Sequence, residues 1–183
     1  CEAVSNAKEG VTGTGDARLE GCTITGNRAA GIKIGGHGTI TNTATVSNCT
    51  ITGNGGAAVN LWGGYGTTAT ATVTGCTITG NSGAGISLNS DWDFATVSNC
   101  TITGNGGVGI GLFGYFSADT STIVNCAISG NAGAGAYAKG KTTVSNCTIK
   151  GNTGNGVEVH EVSVKDSTIT DNGGRGVSFL TLA

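Results

Sequence analysis

Proline is absent from all 183 residues, and methionine with it. Charge is scarce too: Asp, Glu, Lys and Arg make up 11% of the chain and leave a net charge of −2. A nucleic-acid partner needs a basic patch or stripe, and that footprint is missing. No apolar run approaches the roughly 20 residues of a membrane-spanning helix. No secretory leader is present, which fits a mature form whose targeting segment is already gone. With no proline, corners fall to glycine. The 35 glycines recur regularly and supply the positive-φ turns that a coiled strand path needs. Composition does not shift along the chain, so residues 1–183 read as one domain.

What the chain has instead is a repeat. The stretch Val46-Ser-Asn-Cys-Thr-Ile-Thr-Gly-Asn54 returns closely at Val73, Val97, Val144 and Val164, and more loosely around Cys1, Cys22 and Cys126. Its cysteine position is filled by Cys1, Cys22, Cys49, Cys76, Cys100, Cys126, Cys147 and then Ser167. Five residues on stand Asn6, Asn27, Asn54, Asn81, Asn105, Asn131, Asn152 and Asn172. Successive units are 21, 27, 27, 24, 26, 21 and 20 residues apart, a period that signals a solenoid of stacked coils.

Within a unit, Cys49 and Ile51 alternate with Thr50 and Thr52, the period-2 pattern of a half-buried strand. Gly53 to Gly56 turn a corner, Val59 and Leu61 face inward from a second strand, and Ala44-Thr-Val46 forms a third. The expectation is an all-β parallel β-helix of about eight coils of 20–27 residues, three short strands per coil, roughly 38 Å long at about 4.8 Å per coil. The asparagine after each Gly is expected to take the left-handed conformation and to hydrogen-bond from coil to coil. Equivalent Cα atoms about 4.8 Å apart carry parallel side chains, whereas a disulfide needs Cβ atoms about 3.8 Å apart and turned together. The cysteines are therefore expected as a ladder of small buried residues, ahead of disulfides or a metal row. Asn48, Asn99 and Asn146 match the glycosylation acceptor pattern, which the repeat's own turn chemistry explains equally well.

The unit Asn-Cys-Thr-Ile-Thr-Gly-Asn followed by Gly-Ala-Gly-Ile resembles the repeat of right-handed parallel β-helix proteins. That group includes pectin-lyase-like enzymes and adhesin-type surface proteins. The resemblance implies right-handed coiling and a cell-surface or extracellular location, but the motif encodes a scaffold. In lyases of this fold acidic clusters bind calcium and an Arg or Lys abstracts a proton. Candidates here are Asp91, Asp93, Asp119, Lys139, Lys141, Glu158, His160 and Glu161. No acidic cluster is paired with Arg18, Arg28 or Arg175, and no calcium-binding nonapeptide occurs. No catalytic residue, metal or cofactor is assigned, and an enzyme, if it is one, would be a polysaccharide lyase or glycoside hydrolase.

Length variation falls on one corner, between the Val-x-Leu strand and the next Thr-Val strand, and insertions in solenoids often mark the binding edge. Trp62, Tyr65, Trp92, Phe94, Phe113, Tyr115 and Phe116 lie there with Tyr137 beside them, either to stack on sugars or another protein, or to form a satellite core under the loops. The outward pairs Thr23/Thr25, Thr50/Thr52, Thr77/Thr79, Thr101/Thr103 and Thr168/Thr170 resemble the lattice of insect-type ice-binding proteins, interrupted by Ala127/Ser129 and Lys150. Finally, Cys1 opens the chain at a ladder position and Ala183 stops three residues short of the next. A copy could continue the ladder, with Cys1, Val4, Asn6 and Val11 meeting Ser167, Asn172, Phe179 and Leu182. Boundaries within a longer surface protein are the alternative, and Cys1 also suits a lipid anchor. The sequence thus points to an extracellular structural solenoid that stacks head to tail on itself. A carbohydrate-binding or -degrading module, with cell-surface glycans as partners, and an ice-binding protein are the alternatives.

Overall fold

The computed structural model describes residues 1–36, 41–63, 66–114 and 120–180, with Trp92 described by its backbone alone. Among these residues there are strands and turns and no helix. One wall is an eight-stranded parallel sheet of three-residue strands running from Glu2–Val4 through Thr50–Thr52 and Thr101–Thr103 to Thr168–Thr170. A thirteen-stranded sheet, which includes the final strand Val177–Phe179, makes the rest. Eight wall strands enclose about seven turns, one fewer than the count of repeat units.

Three strands per coil is correct wherever the variable corner is long, as in Val59–Gly63, Thr68–Thr74 and Thr77–Thr79. In the two coils after Asn131 and Asn152, where that corner is short, the second and third strands fuse, whereas the equally short corner at Thr14 and left-handed Gly15 keeps Val11–Gly13 and Asp16–Glu20 apart. Ala136–Ser145 and Val157–Lys165 run as single strands, with a register shift between Ala138 and Lys141 that bends the ladder.

The interior is built from columns. Ile24, Ile51, Ile78, Ile102, Ile128 and Ile149 are fully buried from one sheet, and Val46, Val73, Val97, Ile123 and Val144 face them from the other. Register is kept across the short sheet, where Ile51 pairs with Ile78, Ile78 with Ile102 and Ile102 with Ile128. A slip of one residue would turn every isoleucine outward, so burial itself holds the register.

Asparagine supplies the second set of bonds. The Asn81 Oδ1 accepts the backbone N–H of Asn54 at 3.1 Å and its Nδ2 at 2.8 Å. The Asn81 Nδ2 in turn donates to Asn105 Oδ1 at 2.9 Å and to the Ile51 carbonyl at 3.1 Å. The pattern runs from Asn6 to Asn172. Asn27, Asn54, Asn81, Asn105, Asn131 and Asn152 are buried.

These asparagines do not take the left-handed turn expected of them. That conformation belongs to the residue before, Gly26, Gly53, Gly80, Gly104, Gly130 and Gly151, with φ between 61° and 65°. A second left-handed column, one residue ahead of the cysteine position, holds Asn48, Asn99, Asn125, Asn146 and Asp166 beside Gly21 and Gly75. Each Thr-Ile-Thr strand is thus bracketed by two such corners, which leaves the ladder asparagine free to turn inward. A Cβ at Gly80 would meet nothing within 4 Å, so substitution there tests backbone conformation alone. Gly80→Val is expected to cost about 1–2 kcal/mol and Gly80→Asn clearly less, read by urea unfolding.

Candidate functional site

The cysteine column differs from expectation at its outermost rung. Cys1 and Cys22 form a disulfide, with Cα atoms 4.6 Å apart. Cys49, Cys76, Cys100, Cys126 and Cys147 are free and buried. The Cys49 and Cys76 Sγ atoms accept the backbone N–H of the cysteine one coil earlier and lie near carbonyls of their own strand, which keeps them parallel. At the outermost rung the Cys1 and Cys22 sulfurs are bonded to each other instead. Ser167 keeps the column's role with a hydroxyl, accepting Cys147 N–H at 3.0 Å.

Burial pushes the Cys49 thiol up, and contact with the Cys126 thiol, with burial, takes Cys100 to about 11. Cys147 is lowered to about 7, because the Cys126 thiol donates to its sulfur. Burial keeps all five from reagents in the folded chain. In denaturant without reductant five thiols are expected to titrate with a disulfide reagent, and all seven cysteines after reduction. Reduction frees a loop of about 20 residues and removes about 3 kcal/mol from the first coil.

The variable corner is more polar inside than the sequence suggested. Asn42, Ala69 and Asp93 share one inward column in register, and Asn42 and Asp93 are fully buried. Asn42 Oδ1 accepts Gly15 N–H, and its Nδ2 donates to the Trp62 carbonyl at 3.3 Å. Ser90 Oγ donates to Asp93 Oδ1 at 2.7 Å, and Gly66 N–H donates to Asp91 Oδ2 at 2.6 Å. Asp91 and Asp93, expected as surface candidates, are thus buried supports for the corner. The residues missed were Asn42, Thr67 and Ser90. Strand parity could have found Asn42, which is in phase with Ala44 and Val46, as Asp93 is with Ala95 and Val97.

The other ionisable candidates are engaged locally. Lys141 pairs with Glu161 at 2.8 Å, and Asn155 Nδ2 donates to Glu158 Oε2 at 2.8 Å. Lys139 and His160 sit half-buried in their strands. Arg18 pairs with Glu20, and Arg28 and Arg175 lie on the glycine-rich turns after ladder asparagines, away from this corner. Among the described residues no group of three or more His, Cys, Asp or Glu is placed to hold a metal ion.

Of the aromatic candidates, Phe113 stacks on Tyr137, with centroids 5.2 Å apart and planes at 28°. Burial, then the charge of Glu158, raises the Tyr137 hydroxyl. Lys33 lies 5.9 Å from the centre of the Trp62 ring, and Phe94 is half-buried. Trp92 begins the strand Trp92–Ser98. Tyr65, Tyr115, Phe116, Asp119 and Leu182 lie outside the described residues.

The threonine wall is the most regular exposed surface. Thr23, Thr50, Thr77 and Thr101 form one column in register, and Thr25, Thr52, Thr79 and Thr103 the other. The first is exposed and the second half-exposed, with Thr25 and Thr52 hydroxyls 3.0 Å apart. Ala127/Ser129 and Thr148/Lys150 interrupt the pairs before Thr168/Thr170 resumes them.

The residues named for end-to-end contact occupy the outer coils. Val4 continues the outward Thr25 column and Val11 pairs with Ile32. Phe179 pairs with the inward Val159 and is 63% exposed.

Stacked coils with variation gathered on one corner define the class of protein, a parallel β-solenoid. The chain belongs to the family described as right handed beta helix region, which matches residues 1–71 and 65–182. Among curated proteins and among solved structures nothing matches. Family membership gives the scaffold and leaves its use open.

Proposed function

We propose that this chain is an extracellular structural solenoid, a stiff rod lengthened by like coils added head to tail. The observation behind this reading is the unbroken coil-to-coil bonding from Asn6 to Asn172, in which every coil is joined to the next by the same set of contacts. A surface bonded in that way accepts another coil, whether of the same chain or of a second copy. Among the described residues the strands Glu2–Val4 and Val177–Phe179 each have a neighbour on one side only and offer that surface. The Cys1–Cys22 disulfide favours an oxidising compartment.

Electron microscopy and sedimentation of the oxidised protein test the reading. End-to-end fibres or dimers are expected, and Phe179→Glu should dissolve them. Monodisperse single rods that bind a glycan array or cleave acidic polysaccharide would replace this reading with the carbohydrate one.

The aligned threonine columns favour a second reading, ice binding, through four consecutive coils of matched pairs. A thermal-hysteresis measurement decides it: a freezing-point gap abolished by Thr77→Lys supports the reading, and no gap removes it.

A further inference from the structure

The left-handed corner ahead of the cysteine column carries a pattern that packing does not require. Its successive residues are Gly21, Asn48, Gly75, Asn99, Asn125, Asn146 and Asp166, one per coil. Three of them begin an Asn-Cys-Thr triplet, at Asn48, Asn99 and Asn146, and the chain contains no other Asn-x-Ser/Thr. The three occupy alternate coils. Between Asn48 and Asn99 the corner residue is Gly75. Between Asn99 and Asn146 the asparagine is kept as Asn125, but Ala127 stands where the hydroxyl residue would be. Two different changes thus leave the intervening coils without an acceptor.

The side chains divide in the same way. Asn48, Asn99 and Asn146 are exposed, and no hydrogen bond engages their Nδ2 atoms among the described residues. Asn125 uses its Nδ2, donating to Asn99 Oδ1 at 3.2 Å. A Cβ at Gly75 would lie 2.5 Å from Asn48 Oδ1, so the glycine leaves room for the acceptor amide. The ladder asparagines are the opposite case: Asn54 is buried and its Nδ2 bonds both Asn81 and the Ile24 carbonyl. Thr50, Thr101 and Thr148, two residues beyond each acceptor, are exposed.

We propose that Asn48, Asn99 and Asn146 carry N-linked glycans, set along one corner at every second coil. Coils stack at about 4.8 Å, so alternate acceptors stand about 10 Å apart, which lets bulky sugar chains lie side by side where single-coil spacing would crowd them. The donor is an oligosaccharide linked through pyrophosphate to a lipid. The asparagine Nδ2 attacks the anomeric carbon, a C–N bond forms, and the C–O bond to the pyrophosphate breaks. The lipid pyrophosphate leaves and the transferase takes one Nδ2 proton. The resulting row borders the threonine wall and blocks lateral approach along that edge. The proposal shares the extracellular location with the structural reading and is independent of head-to-tail stacking.

The test is secretion from a eukaryotic host, enzymatic release of N-glycans in heavy-oxygen water, and peptide mapping. Heavy-oxygen Asp is expected at positions 48, 99 and 146, and Thr101→Ala should clear position 99 alone. Mapping of Cys1–Cys22 in the same sample reports the compartment separately. A secreted, disulfide-bonded chain with no sugar at any of the three overturns the proposal. Ala127→Thr completes an acceptor at Asn125 and tests the spacing. Incomplete occupancy at positions 99, 125 and 146, or a lowered melting temperature, is expected. Full occupancy of all three with no loss of stability overturns the alternate-coil argument.

Discussion

Asn81→Leu is expected to lower the melting temperature by on the order of 10 °C. The change removes the Asn81 side chain from the middle of the ladder. The Asn54 N–H and one Asn54 amide proton lose their acceptor, and the Ile51 carbonyl loses a donor. Asn54 and Asn81 are buried, so water does not replace these partners. Each orphaned group costs about 1–3 kcal/mol, which over the three sums to about 3–9 kcal/mol. At this chain length each kcal/mol is worth about 2–4 °C. Leucine is close in size, so the loss reports bonding more than volume.

Asn81→Asp separates the two further. It keeps the shape but points an acceptor at the Asn105 Oδ1 and the Ile51 carbonyl, which already accept. A carboxyl so placed has its folded pKa raised, because only the protonated form can donate. Its cost is therefore smallest in acid and grows as pH rises above about 4, the unfolded value. Urea unfolding of both variants across pH checks this: Asn81→Leu should show no such slope relative to the parent, and Asn81→Asp should. A loss below about 1 kcal/mol in both would mean that the ladder follows the fold without holding it.

Much of this architecture is legible in the sequence, because a solenoid writes the same local instruction many times. The spacing of Cys22, Cys49 and Cys76 gives the coil length, and Cys49/Ile51 against Thr50/Thr52 gives the inward parity. What was less legible lies where a coil departs from its neighbours. The left-handed residue was misplaced because Gly53 and Asn54 both suit such a turn, and only the inward bond to Asn81 decides between them. The Cys1–Cys22 disulfide was missed because reading the cysteines as parallel rungs treats every rung as equivalent, and the outermost one is not. The buried Asp93 was assigned to the surface by its charge, although its parity with Ala95 and Val97 places it inside. The fusion of two strands at Ala136–Ser145 accompanies a short corner with no left-handed residue in it, whereas Gly15, left-handed, breaks the equally short corner of the first coil.

Ile102→Ala carries the second large effect, and its comparison with Ile169→Ala tests how the coils depend on one another. Ile102 is fully buried between Ile78 and Ile128, and an added Cβ at Gly85 would lie 2.6 Å from its Cγ2. Removing the branched side chain is expected to cost about 2–5 kcal/mol, since neighbours pinned by two sheets cannot collapse into the space. Ile169 is partly buried, and among the described residues its strand pairs on one side only, with Thr148–Lys150. In a linear array each coil is stabilised by the coils it touches, so a defect in the middle weakens two interfaces and one at the edge weakens a single interface. Ile169→Ala is therefore expected to cost about half as much, with loss of hydrogen-exchange protection confined to the final coils. Ile102→Ala should expose amides on both sides of Thr101–Thr103 and broaden the melting transition, because the two halves then unfold with less mutual support. Equal costs with one sharp transition in both variants would mean that the rod unfolds as a single unit and that its stability is not a sum over neighbouring coils.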